Sequence, residues 1–243
     1  PVTVTQALLQ SRNIPAVEMA QQLKQPDLYD LLKLANISLP KNKQHYGLSL
    51  VLGGAELSMQ QLAELYAALV NQGQWQPLQL LKNPVTTQGA RLLSAESSYM
   101  VSDMLRQNIR PDIYNKSIKT KLPLYWKTGT SNGLRDAWTV GYFGNYTLVV
   151  WFGHFNNKSN PQFIGRRLAT SLFLQLADGI IAQYPNMKDP LKREGLNLTD
   201  VPVCAADGNL PNQHCQQLTK TLFIPGKSPI QVSHIYQQLR VRK

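Results

Sequence analysis

The sequence predicts an α+β fold, in which helices precede a short antiparallel sheet and a long helix follows the sheet. The first observation is a set of helical apolar patterns in the N-terminal part of the chain. The second is a group of three short segments, aromatic and β-branched, between residues 122 and 154. The third is the composition: 43% of the 243 residues are apolar and 16% are charged, which indicates an ordered core.

The N-terminal helices are expected to be short. Apolar residues recur with helical spacing over residues 3–10, and the pattern is interrupted at Ser11. A second helix is predicted from residue 14 to residue 23, with Pro15 in its first turn, where proline is tolerated. Residues 36–54 contain prolines and glycines typical of loops, so a loop-rich segment is predicted there.

Two longer helices have clear start signals. Ser58 and Gln61 have the spacing of a capping box, and Gly73 is expected to end the helix that they start. Another helix is predicted to begin at Ser94. The residues expected to be buried are Leu62, Leu65, Tyr66 and Leu69 on the first helix, and Tyr99, Met100 and Met104 on the second.

The predicted sheet has three strands, at residues 122–130, 137–143 and 146–154. Turn signals stand between them, and the two-residue connection at Gly144 predicts a hairpin of the last two strands. A long helix is then predicted over residues 164–181, with leucine or isoleucine on one side at positions 168, 172, 176 and 180. After Pro185 the sequence becomes rich in Pro, Asn and Asp, which is typical of a linker into a small appendage.

The chain is basic. Lys and Arg number 25 against 14 Asp and Glu, a formal net charge of +11. Such an excess suits nucleic acid, an anionic membrane face or a carboxylate-rich wall polymer, although a generic basic surface explains it equally well. No apolar run approaches the roughly 20 residues that span a bilayer. Because the chain begins with Pro1, we expect it to be part of a longer protein or a processed product.

The two cysteines, Cys204 and Cys215, lie close together near the C-terminus. Only His214 lies beside them, so the ligand spacing of a zinc site is missing and no metal is predicted. The residues alone leave two alternatives, namely free thiols in a reducing compartment or a disulfide in an oxidising one.

The strongest chemical signal is the string Lys127-Thr128-Gly129-Thr130 at the end of a predicted strand. A small glycine on a strand edge lets a substrate backbone approach closely. The lysine supplies positive charge, and threonine hydroxyls can donate hydrogen bonds to a carboxylate. Far upstream, Ser11-x-Asn13 offers a hydroxyl and an amide between two predicted helices.

Ser-x-Asn followed by Lys-Thr-Gly matches two of the three motifs of penicillin-binding proteins and serine β-lactamases. The chain resembles the transpeptidase domain of class A (bifunctional) penicillin-binding proteins, with the greatest similarity to the penicillin-binding protein 1C group. The segments that carry the resemblance are residues 2–17, 47–68, 92–105 and 126–141, with the extension containing Cys204, Leu210-Pro211, Cys215 and the string FIPGKSP at 223–229.

The resemblance implies the penicillin-binding/serine β-lactamase-like transpeptidase fold, an antiparallel sheet flanked by helices. Residues 1–187 are expected to form the C-terminal part of the transpeptidase domain. Residues 188–243 are expected to form a linker and a small C-terminal extension. Because the family acts outside the cytoplasm, a disulfide between Cys204 and Cys215 is expected to staple this extension.

In the family, a serine of a Ser-x-x-Lys motif attacks the penultimate D-Ala carbonyl of a stem peptide, and an amine of a neighbouring strand takes up the acyl group. The resemblance implies that Ser11 relays a proton to the leaving group and that Asn13 contacts the substrate amide. Lys127 is the expected cationic partner of Ser11. Thr128 and Thr130 are expected to hold the substrate carboxylate, with the backbone N–H of Thr130 donating to the oxyanion.

The nucleophile is the departure from the family pattern. The Ser-x-x-Lys motif should precede Ser11, and the ten residues before Ser11 contain no serine. Ser38-Leu39-Pro40-Lys41 has the right residues in the wrong order, and Pro40 suits a loop better than the helix that the motif needs. The nucleophile is therefore expected upstream of Pro1.

The expected partners are D-Ala-D-Ala stem peptides, β-lactams and the upstream segment of the same protein, with no cofactor and no nucleic acid. The resemblance implies a location at the periplasmic face of the inner membrane. It also implies an N-terminal membrane anchor and a glycosyltransferase domain in the full protein. Two alternatives stay open: a D,D-carboxypeptidase or β-lactamase-like hydrolase with water as acceptor, and a non-catalytic module that binds the wall.

Overall fold

The computed structural model describes residues 2–82, 88–112 and 122–235. The chain divides into two compact units, which are described separately. The larger unit is Val4–Lys192, and the smaller one comprises Arg193–Lys243 together with Pro1–Thr3. Among the described residues, none of the helices combines the length and the apolar character needed to cross a bilayer.

The larger unit begins with short helices. Helix α2 starts at Asn13, directly after the predicted interruption, and Pro15 lies in its first turn. Helix α3 was missed from the sequence, although Asp27 and Asp30 form a capping box at its start. The loop-rich prediction for residues 36–54 is wrong in part, because Asn42 caps a short helix there and a 3-10 helix follows. The elements are α1 Val4–Leu9, α2 Asn13–Gln22, α3 Leu28–Leu34, α4 Lys43–Tyr46 and the 3-10 helix Gly47–Leu52.

The next helix begins with the capping box that the sequence predicts, but its burial differs from the prediction. Helix α5, Met59–Val70, starts with the predicted capping box: the Ser58 amide donates to Gln61 Oε1 at 2.8 Å, and the Gln61 amide donates back to Ser58 Oγ at 3.2 Å. Its predicted apolar stripe is only partly buried, and its most buried residues are Glu64 and Ala68. Two short strands, β1 Gln74–Trp75 and β2 Ala90–Arg91, pair antiparallel after it.

Helix α6, Ala95–Leu105, buries a different face from the predicted one. Its fully buried residues are Ser98, Ser102 and Leu105, whereas the predicted Tyr99, Met100 and Met104 are partly buried. The reason is a polar contact, since the Tyr142 hydroxyl donates a hydrogen bond to Ser102 Oγ. A small hydroxyl residue lets the helix lie close to the sheet and satisfies a buried tyrosine.

The central sheet has the predicted strands and the predicted hairpin. Strands β3 Tyr125–Thr130, β4 Asp136–Phe143 and β5 Tyr146–Gly153 pair antiparallel in that order. Tyr125 and Tyr142 stack on the face towards α6, with ring centroids 4.6 Å apart. The opposite face packs on the closing helix. Within the described residues, β3 and β5 form the two edges of this sheet.

Helix α7, Leu168–Gln183, closes the larger unit. Phe173 and Ala177 are fully buried against the sheet, and Thr139 on β4 lies 3.1 Å, oxygen to oxygen, from the hydroxyl of Thr170. The side that carries Leu172 and Leu176 is different, because these two leucines are 37% and 42% exposed. The leucine spacing therefore identified the helix but not the face that contacts the sheet.

An arginine fixes the segment that follows α6. The Arg110 guanidinium donates to both carboxylate oxygens of Asp178 on α7, at 2.8 and 2.6 Å, and to both oxygens of Asp112 at 3.0 and 2.8 Å. These hydrogen bonds, first to Asp178 and then to Asp112, raise the pKa of Arg110 above its usual value. The Asp178 carboxylate is buried, so this two-sided fork is what keeps its charge paired.

The smaller unit is built on an antiparallel pair of strands, β6 Thr199–Cys204 and β7 Leu218–Phe223. The predicted disulfide is present: Cys204 at the end of β6 is bonded to Cys215, with 5.8 Å between the Cα atoms. Cys204 is fully buried. The disulfide links the end of β6 to the segment before β7, and covalent links of this kind commonly stabilise small units.

We expect Cys204→Ser to lower the unfolding free energy of the smaller unit by about 3 kcal/mol, because the open chain regains the entropy of an uncrosslinked loop. This value is measured by chemical denaturation, monitored with a spectroscopic probe placed in the smaller unit. Intact-mass analysis with and without reductant tests whether the disulfide is present. Equal denaturation midpoints for the oxidised and reduced protein would contradict the stabilising role.

Candidate active site

The end of strand β3 brings together residues from distant parts of the chain. The Lys127 ammonium donates a hydrogen bond to Ser11 Oγ, across 116 positions of sequence. A second ammonium proton is donated to the Thr128 carbonyl oxygen, at 3.0 Å. Two donated bonds fix the lysine head, so the Ser11 hydroxyl, which accepts from Lys127, keeps its own proton for another acceptor.

Ser11 is held by unusual backbone geometry at the junction of α1 and α2. Its φ angle is +54°, in the left-handed region that residues other than glycine seldom adopt. Backbone hydrogen bonds to the last turn of α1 fix the junction, from the Ser11 amide to Leu8 at 3.2 Å and from the Arg12 amide to Ala7 at 2.9 Å. Strained backbone of this kind costs on the order of 1 kcal/mol or more and clusters at functional sites.

The environment of Lys127 disfavours its charge. Desolvation is the larger cause that lowers the pKa of Lys127, and the positive charge of Arg166 is the second. The pKa in the folded protein is therefore below that of the unfolded chain. The charged ammonium weakens folding at pH values below the folded pKa, and this cost disappears as the pH rises towards the unfolded value.

The outer end of β3 is fixed by the loop before α7. The Gly165 amide donates to Thr130 Oγ1 at 3.0 Å, which leaves the Thr130 hydroxyl proton available to a ligand. A Cβ atom at residue 165 would lie 2.2 Å from the Gly129 carbonyl oxygen, so only glycine fits there. By contrast, a Cβ atom at Gly129 would lie 3.4 Å from its nearest neighbour, on Trp138, so internal packing does not require glycine at that position.

The other edge contact of β3 comes from the segment after α6. The Asn108 side-chain amide donates to the Trp126 carbonyl oxygen at 2.5 Å, next to Lys127 on the strand. Asn13 is exposed at the first position of α2, two residues after Ser11. The described residues contain no group of His, Cys, Asp and Glu that could hold a metal ion.

The family described as "Penicillin binding protein transpeptidase domain" matches residues 1–171. The chain belongs to this family. A second family, "Penicillin-binding protein 1A, C-terminal domain", matches residues 196–238, which contain the disulfide.

Curated relatives and one solved structure agree with this family. The chain is 27% identical over 236 residues to penicillin-binding protein 1C of Escherichia coli, covering 94% of the chain and 30% of that protein. It is 25% identical to penicillin-binding protein 1A/1B of Bacillus subtilis, covering 98% of the chain and 29% of the relative. The crystal structure of penicillin-binding protein 1A from Haemophilus influenzae has the same fold, with a TM-score of 0.73 at 19% identity over 96% of the chain and 41% of that structure. The chain thus spans about 30% of the length of these curated relatives.

The Ser-x-x-Lys string of this chain lies outside any helix. Ser38 is exposed in irregular backbone between α3 and α4, and the Lys41 carbonyl oxygen accepts a hydrogen bond from the Tyr29 hydroxyl at 3.3 Å. A serine and a lysine three positions apart are neighbours only on a helix. This geometry favours a structural loop for residues 38–41.

Three residues of the candidate site were missed from the sequence, namely Asn108, Gly165 and Arg166. Gly165 had a weak signal, as a glycine just before a predicted long helix. Asn108 and Arg166 had none, because their relation to β3 depends on contacts between distant segments.

We expect Gly165→Ala to destabilise the transpeptidase fold by about 1–3 kcal/mol, because a methyl group cannot fit against the Gly129 carbonyl. Gly179→Ala in the interior of α7 is the matched control, since a Cβ atom there meets nothing within 4 Å. That substitution should be neutral or stabilise the helix by up to about 1 kcal/mol. Thermal unfolding of both variants measures the difference, and equal melting temperatures would be evidence against the tight approach of the loop to β3.

Proposed function

We propose that this chain is the part of a peptidoglycan D,D-transpeptidase that carries the proton relay and the substrate-binding strand. The observation that carries the proposal is the hydrogen bond from Lys127 to Ser11 at the end of β3. It joins the two family motifs that the chain contains, one from the helical part and one from the sheet. Family membership supports the same reading.

The proposed reaction has two acyl-transfer steps. In the first, a serine oxygen attacks the penultimate D-Ala carbonyl, the peptide bond to the terminal D-Ala breaks, and the departing amine takes up a proton. In the second, an amine of a neighbouring stem peptide attacks the ester, restores the serine hydroxyl and forms the cross-link. A β-lactam follows the first step and leaves the serine acylated.

Lys127 and Ser11 have the arrangement that the leaving group needs. Because Ser11 Oγ accepts a hydrogen bond from Lys127, its own proton can be donated to the departing nitrogen. The lowered pKa of Lys127 makes the ammonium a better acid, so a proton can then pass from Lys127 to Ser11. Asn13 is the proposed contact for the substrate amide.

The outer edge of β3 is the proposed cradle for the substrate backbone. Packing inside the protein does not explain why residue 129 is glycine, because a Cβ atom would fit there. Close approach of a ligand backbone to the strand explains it, since a side chain at this position would stand in the way. Thr128 and Thr130 are the proposed donors to the substrate carboxylate, and the hydrogen bond from Gly165 leaves the Thr130 proton free for that purpose. The Thr130 backbone N–H is the proposed oxyanion donor.

The nucleophile is proposed to lie on a Ser-x-x-Lys segment upstream of Pro1, which completes the fold. Strand β5 forms an edge of the described sheet, and Leu172 and Leu176 on α7 are exposed. An additional strand on the edge and a helix over these leucines would satisfy both surfaces. We assign residues 1–187 to the transpeptidase domain and residues 188–243 to the linker and extension.

The complete protein is proposed to be a bifunctional synthase at the periplasmic face of the bacterial inner membrane. In this proposal a glycosyltransferase domain and a membrane anchor precede the transpeptidase domain. The excess of positive charge, +11, suits a polymer whose stem peptides carry carboxylates. No cofactor is required, because serine acyl transfer needs only a nucleophile, a proton relay and an oxyanion site.

Labelling with a fluorescent penicillin tests the proposal. The full-length protein should be acylated stoichiometrically at a serine upstream of Pro1, as found by mass mapping, and the 243 residues alone should not react. The protein would also be incubated with a stem-peptide donor and an acceptor. If it releases a hydrolysed product and no cross-linked one, the function is that of a hydrolase and not a transpeptidase. Absence of labelling in the full-length protein would favour a non-catalytic module.

We expect Lys127→Met to reduce penicillin acylation of the full-length protein at least about a hundredfold, because the proton relay loses its acid. The melting temperature should be unchanged or higher, because a desolvated charge is removed. Lys43→Met is the control, since Lys43 pairs with Asp27 at the surface and lies outside the site. A Lys127 variant that acylates at the wild-type rate would rule out this role.

A further inference from the structure

Arg166 stands at the same end of β3 as the residues of the Lys-Thr-Gly motif. Its neighbour Gly165 touches the strand directly, through the bond to Thr130 Oγ1 and the close approach to the Gly129 carbonyl. Arg166 is therefore the residue directly after the one that contacts the edge of β3. The side chain of Arg166 is exposed.

The backbone that carries Arg166 is fixed on both sides. The Asn160 amide donates to the Leu134 carbonyl in the turn between β3 and β4, at 2.9 Å. The Arg167 amide donates to Ile164 at 2.9 Å, and the Thr170 amide donates to Gly165 at 3.0 Å, which closes the first turn of α7. This hydrogen-bonded connection fixes the backbone at residue 166 relative to β3.

The charge of Arg166 is not neutralised within the described residues. The ion pairs of this part of the chain belong to Lys43, Arg106, Arg110 and Arg193, and no carboxylate pairs with Arg166. Arg166 also stands at the N-terminal end of α7, where the helix dipole is positive and cations are disfavoured.

Lys127 adds a second positive charge to the same end of the strand. The charge of Arg166 contributes to the lowered pKa of Lys127, which means that the two groups lie close enough to repel each other. Two cations and a helix N-terminus without a carboxylate form an arrangement that an anion would stabilise. The anion that the proposed function brings to this edge is the C-terminal carboxylate of the stem peptide, or its counterpart on a β-lactam.

We propose that Arg166 pairs with the carboxylate of the donor substrate on the outer edge of β3 and thereby selects substrates with a free carboxylate. This inference rests on the proposed transpeptidase function and adds a residue to it. Thr128 and Thr130 donate hydroxyl protons to the carboxylate, and Arg166 supplies the formal charge that these neutral donors lack. A peptide amidated at its C-terminus loses this pairing.

Arg167 provides the matched control. It is the next residue along the chain, it has the same charge and it is also exposed. Its side chain lies in a different place, along a groove with Phe152, Leu168 and Leu172 on the outer side of α7. Removing Arg167 therefore changes the net charge by the same amount and leaves the strand edge unaltered.

The test measures the acylation efficiency of the full-length protein with benzylpenicillin and with its neutral methyl ester. We expect Arg166→Gln to lower the efficiency about tenfold for the acid and less than twofold for the ester, because only the acid carries the charge that Arg166 binds. Arg166→Lys should restore part of the preference for the acid. Arg167→Gln should behave as the wild type with both compounds.

The outcomes separate this inference from the function on which it rests. Wild-type protein that reacts with neither compound overturns the transpeptidase proposal and the role of Arg166 with it. Wild-type protein that reacts, with equal losses for acid and ester in Arg166→Gln, overturns the role of Arg166 alone and indicates a structural effect. If Arg166→Gln and Arg167→Gln lower the reaction with the acid equally, the effect comes from the net charge of the protein, and a specific role of Arg166 is overturned.

Discussion

The hydrogen bond between Lys127 and Ser11 is the constraint on which the site depends. It joins the helical part of the domain to the central strand. Ser11 reaches Lys127 because its backbone adopts a positive φ between two helices. Lys127 reaches Ser11 because β3 pairs with β4 in a register that places the lysine opposite Val140.

Polar contacts outside the site fix the elements that surround it. A desolvated lysine and a strained serine both weaken the fold. Buried polar pairs fix the elements around β3. Arg110 ties the segment after α6 to α7, and Tyr142 ties β4 to α6 through Ser102. These contacts take no part in the proposed chemistry.

Local patterns in the sequence were enough for most elements and for the identity of the motifs. The three strands and the capping box of α5 were predicted because alternation, turn residues and caps act over a few positions. The buried faces of α6 and α7 were not, since a helix with apolar residues on several sides is oriented only by the sheet that it meets. Ser102 looks polar in sequence, and only Tyr142 explains its burial.

The candidate site shows the same limit. Ser-x-Asn and Lys-Thr-Gly were recognisable as strings, and the disulfide was expected from the resemblance and found. The contact of Gly165 with Thr130 spans 35 positions, so no spacing rule could have predicted it. That contact is also what places the charged residue Arg166 next to β3.

A double-mutant cycle on penicillin acylation tests the central claim most directly. The full-length protein, Ser11→Ala, Lys127→Met and the double variant would be compared under the same conditions. If Lys127 acts through Ser11, the double variant loses no more activity than the more damaging single variant. Losses that multiply, as expected for independent residues, would contradict the account.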